Sequence, residues 1–432
     1  MIEKDRGARE RAILIGVSCT GAAGFDNSDD ETLRELKELL ETAGGEAVLT
    51  AVQSRKAPDP RTMIGEGKCR ELKSMIESHE IELAVFDNEL GPSQARALEQ
   101  ELGCRVIDRS ALILDIFADR AQTREGKLQV ELAQYQYLLP RLSGMWGHLV
   151  RQTAAGGRSP IGTRGPGETQ LETDRRHIRR KIQKLKEEAE DVRRVRAVQR
   201  RGREKAAVPL VCIVGYTNAG KSTLLNALTG AGVHAQGRLF DTLDPTTKSL
   251  ITPDGTQVLV SDTVGFIRKL PHHLVDAFRA TLEEVAYADV LVHVIDISNP
   301  NWEEQAKVVE ELICELGAGE TPCITVFNKV DLVPEEERPH RVGAVDCSAL
   351  IGRGLDALMQ SLASVLSQGR RRVSFILPYA DAALLDMLYR EAGVQRAEYA
   401  ENGIEVTAVC DRRTLGRLRE FLPEEEKRDE DF

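Results

Sequence analysis

The chain has 432 residues, 41% hydrophobic and 29% charged, with eight cysteines and a net charge of −11. That make-up fits a globular protein of two to four domains, and no run of eighteen apolar residues offers a membrane span. The cysteines never form a C-x-x-C pair and sit mostly inside apolar runs, which excludes a zinc or disulfide framework and fits reduced thiols in the cytoplasm.

The N-terminal apolar run in "MIEKDRGARERAILIGV" is too short for a secretory signal and reads as a first strand. Over residues 11 to 120, strand patterns ("AILIGVS", "EAVLTAV", "IELAVFD", "CRVID") alternate with helical ones such as "DETLRELKELLETAGG" and "GPSQARALEQELG". Four strands with helical crossovers predict a small parallel α/β domain over 1–120. "IGEGK" at 64–68 lacks the frame of a phosphate loop, and no strand precedes it closely, so a turn is expected there.

Leu128, Leu132, Tyr135, Leu139, Leu142, Trp146 and Leu149 then recur at alternating spacings of four and three, a heptad seam in which Pro140 should introduce a kink. Leu171, Ile178, Ile182, Leu185, Ala189 and Val192 continue the period beyond the Gly- and Pro-rich stretch "GGRSPIGTRGPGET". Two seams around such a loop predict an antiparallel helical hairpin over 121–205, with its tip at 153–168. Arms of about 24 residues would reach roughly 36 Å. Between Arg141 and Lys205 there are 18 Lys and Arg against 8 Asp and Glu, a local charge of +10 that leaves −21 for the rest. Arg151, Arg158, Arg164, Arg175 and Arg176, with Arg179 and Arg180, lie in or beside the loop and are the candidate RNA contacts. A solvated basic face or a protein partner with an acidic groove are the alternatives; the absence of any acidic residue in the loop before Glu168 favours RNA.

"RRGREKAAVP" at 200–209 reads as a linker, and strand–helix alternation resumes over 206–369. "CIVGYTNAGKSTLL" places Gly215-x-x-x-x-Gly220-Lys221-Ser222 between a strand and a helix, the phosphate-loop frame in its required setting. Glycines let successive backbone N–H groups face phosphate oxygens; Lys221 would reach the β- and γ-phosphates and Ser222 would ligate Mg²⁺. Tyr216, Thr217, Asn218, Ala219 and Thr223 complete that contact set. The strand "QVLVSDTVG" brings Asp262 to its end for Mg²⁺ through water, followed by Thr263, Val264 and Gly265, whose N–H can meet the γ-phosphate. In "CITVFNKVDL", Asn328, Lys329, Val330 and Asp331 form a base-reading loop, since a carboxylate accepts from N1–H and the 2-amino group of guanine, donors adenine lacks. Ser348, Ala349 and Leu350 add a backbone N–H for the guanine O6. GTP is therefore the expected nucleotide, with Mg²⁺ as cofactor. A smaller α+β domain is expected from 370, ending in the acidic "PEEEKRDEDF".

Residues 210–368 resemble the translation-factor-related class of P-loop GTPases. "RLFDTLDPTTK" resembles the first switch of the Obg/HflX superfamily, which implies that Phe240, Asp241, Thr242, Leu243 and Asp244 line the nucleotide, with Thr242, rather than Thr246 or Thr247, closing over Mg²⁺. Lys221, Thr242 and Gly265 are then the catalytic candidates. Phe266 stands where Ras-like chains carry a glutamine that orients water, so hydrolysis should be slow without a partner. "GTRGPGETQLETDRRHIRRKI" behind "W-x-H-L-x-R-Q" resembles the HflX family along nearly the full chain. The resemblance implies a cytoplasmic monomer that binds the large ribosomal subunit, its hairpin loop directed at the peptidyl-transferase region. It implies dissociation of stalled or idle ribosomes, often under stress, with GTP hydrolysis releasing the factor. Transient association with a membrane surface is a further expectation. A ribosome-assembly or RNA-remodelling GTPase and a non-hydrolysing GTP-dependent scaffold remain the competing readings.

Overall fold

A computed structural model of the protein describes residues 9–21, 25–145, 166–206, 208–230, 232, 239–269, 282, 284–367, 370–400, 402–418 and 421–422. It divides into two compact units: residues 1–192 with 238–240 and 268–279, and residues 193–237, 241–267 and 280–432.

The first unit is built on strand β1 (Arg11–Cys19), whose centre, Ile13 to Ile15, is at most 1% exposed. It pairs in parallel with β2 (Glu46–Arg55) and β3 (Leu83–Phe86), and β4 (Arg105–Asp108) joins β3, giving the order β2-β1-β3-β4. Parallel neighbours need crossovers, supplied by α1 (Asp30–Thr42), α2 (Glu66–Ser78) and α3 (Pro92–Leu102), with α4 (Arg109–Arg120) after β4. Helix starts are chemically marked: Thr32 N–H donates to Asp29 Oδ1 at 2.7 Å and Asp29 N–H to Thr32 Oγ1 at 3.0 Å, a reciprocal cap. The "IGEGK" stretch is the start of α2, where the Gly65 N–H donates to Gln53 Oε1 at 2.9 Å.

Helices α5 (Arg124–Met145) and α6 (Pro166–Ala206) pack through Leu128 and Leu132 against Ile182 and Leu185, with Tyr135, Leu139, Ile178 and Val192 alongside. Lys181 pairs with Glu131 at 3.1 Å across the two helices. Helix α5 continues past Pro140 to Met145. Two readings of the sequence change here. The expected tip extended to 168, but α6 starts at Pro166, a residue whose fixed φ and missing N–H suit the first helical position. The expected linker is helix through Ala206: Arg, Lys, Glu and Ala are strong helix formers, so a helix does not need a seam to continue. Residues 146–165, with Trp146, Leu149, Arg151, Arg158 and Arg164, lie outside the described residues.

The second unit carries a six-stranded sheet in the order β10-β9-β8-β5-β7-β6, from β5 (Leu210–Gly215), β6 (Thr246–Ile251), β7 (Gln257–Asp262), β8 (Val290–Asp296), β9 (Cys323–Asn328) and β10 (Val345–Asp346). All pairs are parallel except β6 with β7, an edge hairpin that alternation in the sequence did not disclose. Helices α7 (Lys221–Thr229) and α8 (Trp302–Glu315) are described connections between its strands, and α9 (Leu355–Ser367) follows β10. Val211, Ile213, Val260, Val292, Val294 and Val326 fill the core beneath the strand ends that carry the motifs. A second sheet, β11 (Arg370–Leu377), β13 (Gly403–Asp411) and β12 (Gly393–Ala400) in that order, is antiparallel and packs with α10 (Ala383–Glu391) and α11 (Arg412–Leu418). Together these make the chain α/β: a doubly wound six-stranded domain preceded by a small parallel α/β domain and a helical hairpin, and followed by a small α+β domain. The acidic end at 423–432 lies outside the described residues. No described helix is long and apolar enough to cross a membrane.

Candidate functional site: the phosphate loop and its partners

Strand β5 is buried along its whole length and delivers the loop from Gly215 to Lys221 at its C-terminal end. A Cβ at Gly215 would collide with the Val294 carbonyl oxygen, and one at Gly220 (φ 95°) with the Asn328 amide, so neither position admits a side chain. Asn218 also holds a left-handed backbone, φ 61°. Asn328, 2% exposed, donates from Nδ2 to the Ala219 carbonyl at 2.8 Å and accepts the Ala349 N–H on Oδ1 at 3.0 Å. One side chain thereby joins the phosphate loop, the end of β9 and the loop after β10.

The hydroxyl of Ser222, at the start of α7, lies 2.7 Å from Thr242 Oγ1 and donates to Asp262 Oδ2 at 2.6 Å. Thr246 instead starts β6, and Thr247 donates to Ser261 at 3.2 Å, so of the three threonines Thr242 is the one beside Ser222. Asp262 is fully buried, and burial raises its carboxyl above the usual range against the opposing effect of Lys221. Among the described residues its Oδ1 has no hydrogen-bond partner, nor has Thr217 Oγ1. Two hydroxyls and a buried carboxylate with an unpaired oxygen are hard donors suited to Mg²⁺. Lys221, 7% exposed, donates from Nζ to the Tyr216 carbonyl at 2.8 Å, and burial lowers its ammonium to about 8.

Gly265 lies against the phosphate loop: a Cβ there would come 2.9 Å from Thr217 Cα and 3.1 Å from Lys221 Nζ. The next residue, Phe266, is 1% exposed, accepts the Thr217 N–H at 2.7 Å and donates to the Gly215 carbonyl at 3.2 Å. Its ring is packing, with no group to orient water. Lys329 (φ 62°) pairs with Asp296 at 2.5 Å, a partner at the end of β8 that no local motif announces. Asp331 is exposed in a short 3₁₀ turn with Val330, and beside it Ser348 and Ala349 are buried while Leu350 is 80% exposed. Of the arm's arginines, Arg176, Arg179 and Arg180 are exposed on α6 and Arg175 is half-buried.

Three family models match the chain: a GTP-binding GTPase N-terminal region over residues 30–118, a GTP-binding GTPase middle region over 120–203, and a 50S ribosome-binding GTPase over 210–329. A GTPase HflX of Caldanaerobacter subterraneus is 47% identical over 96% of this chain and 94% of its own. The GTPase HflX of Escherichia coli is 43% identical over 92% of each. Among solved structures, a GTP-binding protein of Sulfolobus solfataricus in complex with GDP is 26% identical, spanning 83% of this chain and 99% of that one, with a TM-score of 0.42. The similarity to the HflX relatives extends over both units, and the GTPase model covers the loop from Gly215 to Ser222, Asp262 and Asn328. The chain hydrolyses GTP and belongs to the HflX family of GTPases.

Proposed function

We propose that this chain is a GTP-gated factor of the large ribosomal subunit that dissociates stalled or idle ribosomes in the cytoplasm, under stress, as a monomer. Its basic hairpin would enter the peptidyl-transferase region. The observation that carries the reading is the meeting of Ser222, Thr242 and Asp262 at one point in a chain whose hairpin segment has a local charge of +10. A nucleotide gate and a polyanion-binding arm are thus present in one molecule. The GTPase model's description, a 50S ribosome-binding GTPase, supports the same partner.

In this reading Gly215 to Thr223 cradle the phosphates, and Lys221 bonds the β- and γ-phosphate oxygens. Gly265 offers its N–H to the γ-phosphate, and Asp331 with Ala349 reads guanine. Residues 240–244 close over the nucleotide. Ser222 and Thr242 would hold Mg²⁺ directly and Asp262 through water; when bound with GTP, the ion supplies charge neutralisation at the phosphate oxygens. Phe266 cannot accept a proton or align water, so hydrolysis is slow in the free protein and stimulated on the ribosome. Loss of the γ-phosphate frees Thr242 and Gly265, lowers affinity for the subunit and releases the factor. Arg151, Arg158, Arg164, Arg175 and Arg176 contact RNA phosphates.

Deletion of residues 156–167 tests this directly. The shortened protein is expected to keep its intrinsic GTP turnover and to lose ribosome dissociation, measured by sedimentation of assembled ribosomes. Dissociation at the full rate without those residues would overturn the role of the arm. Binding of precursor subunits without dissociation of ribosomes would replace this reading with that of an assembly factor.

A further inference from the structure

The first unit contains a built crevice to which neither GTP hydrolysis nor ribosome binding assigns a role. From β1 the chain crosses to β2 on one side, and from β3 to β4 on the other. Between the C-terminal ends of β1 and β3 lies the place where open parallel sheets take their ligands. Asp87, one residue beyond β3, is buried there with 0% side-chain exposure. Ser28 Oγ donates to its Oδ2 at 2.7 Å and Arg109 Nη1 to its Oδ1 at 3.0 Å, while Arg109 also pairs with Glu35. Asn88 fixes the loop by exchanging hydrogen bonds with the Val17 N–H (2.9 Å) and carbonyl (3.2 Å).

The crevice is filled by the chain itself. Lys269 Nζ donates to Asp87 Oδ2 at 2.7 Å and to the Asp26 carbonyl at 3.3 Å, with its side chain 8% exposed. Its neighbour Arg268 accepts from Arg109 on its carbonyl at 3.0 Å and pairs with Glu31 at 2.8 Å. Asp26, Glu31, Glu35 and Asp87 against Arg109 leave −3 in the crevice, and the dibasic pair brings this to −1. Removing one partner from so buried a carboxylate is strongly unfavourable, so the docked arrangement is a discrete state.

Arg268 follows Gly265 by three residues, and Phe266 and Ile267 between them are each 1% exposed. Gly265 is packed on Thr217 and Lys221. A γ-phosphate held by both Lys221 Nζ and the Gly265 N–H would have to come between them, which would move the 262–267 segment off the phosphate loop and pull on Arg268. The other nucleotide-responsive loop is tethered in the same unit. Phe240, two residues before Thr242, has φ 56° and meets Phe117 edge-on at 4.7 Å between ring centroids.

We propose that the crevice at Asp87 is an intramolecular receptor for the Arg268–Lys269 pair, and that docking there and binding of a γ-phosphate exclude one another. Docked, the pair holds the Gly265 segment against the phosphate loop and favours GDP; GTP withdraws the pair and opens an acidic crevice. Linkage is reciprocal, so any change that undocks the pair raises affinity for GTP relative to GDP. This coupling rests on the placement of the γ-phosphate between Lys221 and Gly265 proposed above and is independent of the ribosomal reading.

The test uses the full chain and two fluorescent ligands, a GDP and a non-hydrolysable GTP analogue. Lys269→Gln is expected to shift the ratio of their dissociation constants about fivefold or more toward the GTP analogue, Arg268→Gln in the same direction, and Lys269→Arg to restore the wild-type ratio. Arg268 and Glu31 keep 14% and 22% side-chain exposure, so Arg268→Gln decides the matter if Lys269→Gln does not fold. In the wild-type protein, amide exchange at residues 84–90 and 266–269 should rise with the GTP analogue and not with GDP. Ratios within twofold of wild type in the folded Gln variants, or the same exchange with both nucleotides, would overturn the proposal.

Discussion

The Asn328 side-chain amide donates to the Ala219 carbonyl at 2.8 Å, while its carbonyl oxygen accepts the Ala349 N–H at 3.0 Å. The loops that would hold the phosphates and the base are thereby fixed to one side chain, and Gly220 is glycine because that amide occupies the space of its Cβ. Asn328→Ala leaves a buried carbonyl and a buried N–H unpaired, a loss of about 2 kcal/mol in stability. Guanine-nucleotide affinity should fall by about tenfold or more. Thermal unfolding with and without GDP separates the two effects.

Base choice is expected to rest on Asp331. Asp331→Asn replaces an acceptor pair by a donor and an acceptor, so preference should move from guanine toward xanthine nucleotides. Competition between GDP and XDP for the variant checks this; unchanged GTP affinity would refute the assignment of Asp331 to the base.

The hairpin's packing should be separable from nucleotide binding. Leu185 is 2% exposed and shares the buried seam with Leu128, Leu132 and Ile182. Leu185→Ala removes most of that contact, at a cost of about 2–4 kcal/mol. The first unit should melt earlier while GDP affinity stays at the wild-type value, as shown by calorimetry and a binding titration on the same protein.

Acid sensitivity is expected from His293, in the middle of β8 and 2% exposed. Burial lowers its imidazolium to about 4, and the charges of Arg341 and Lys221 act in the same direction. Between that value and the ordinary 6.5 the unfolded chain holds a proton that the folded chain does not, so stability falls as pH drops through the window. At 1.36 kcal/mol per pKa unit, the loss approaches roughly 3 kcal/mol near pH 4. Denaturant midpoints over pH 4 to 7 should show this slope, and His293→Phe should remove it.

The nucleotide motifs were legible because their spacing is imposed by sterics within a few residues: Gly215 and Gly220 are each required by one neighbouring group. The hairpin was legible because its seam repeats over several turns, whereas Arg200–Ala206 is helical but carries no seam and so reads as a linker in sequence. Strand β12, "GVQRAEYA", carries too little apolar alternation to declare itself, and the edge strand β6 hides within a polar stretch. Partnerships such as Lys329 with Asp296 and Lys269 with Asp87 lie 33 and 182 residues apart. No local pattern carries them, because a buried charge is satisfied by whatever the fold brings alongside it.

Co-sedimentation with purified large ribosomal subunits, in the presence of either GDP or a non-hydrolysable GTP analogue, tests the central claim most directly. The GTP-gated reading predicts retention on the subunit with the analogue, binding at least about tenfold weaker with GDP, and a steep loss of the complex as salt rises. Equal retention with both nucleotides, or none with either, would contradict it.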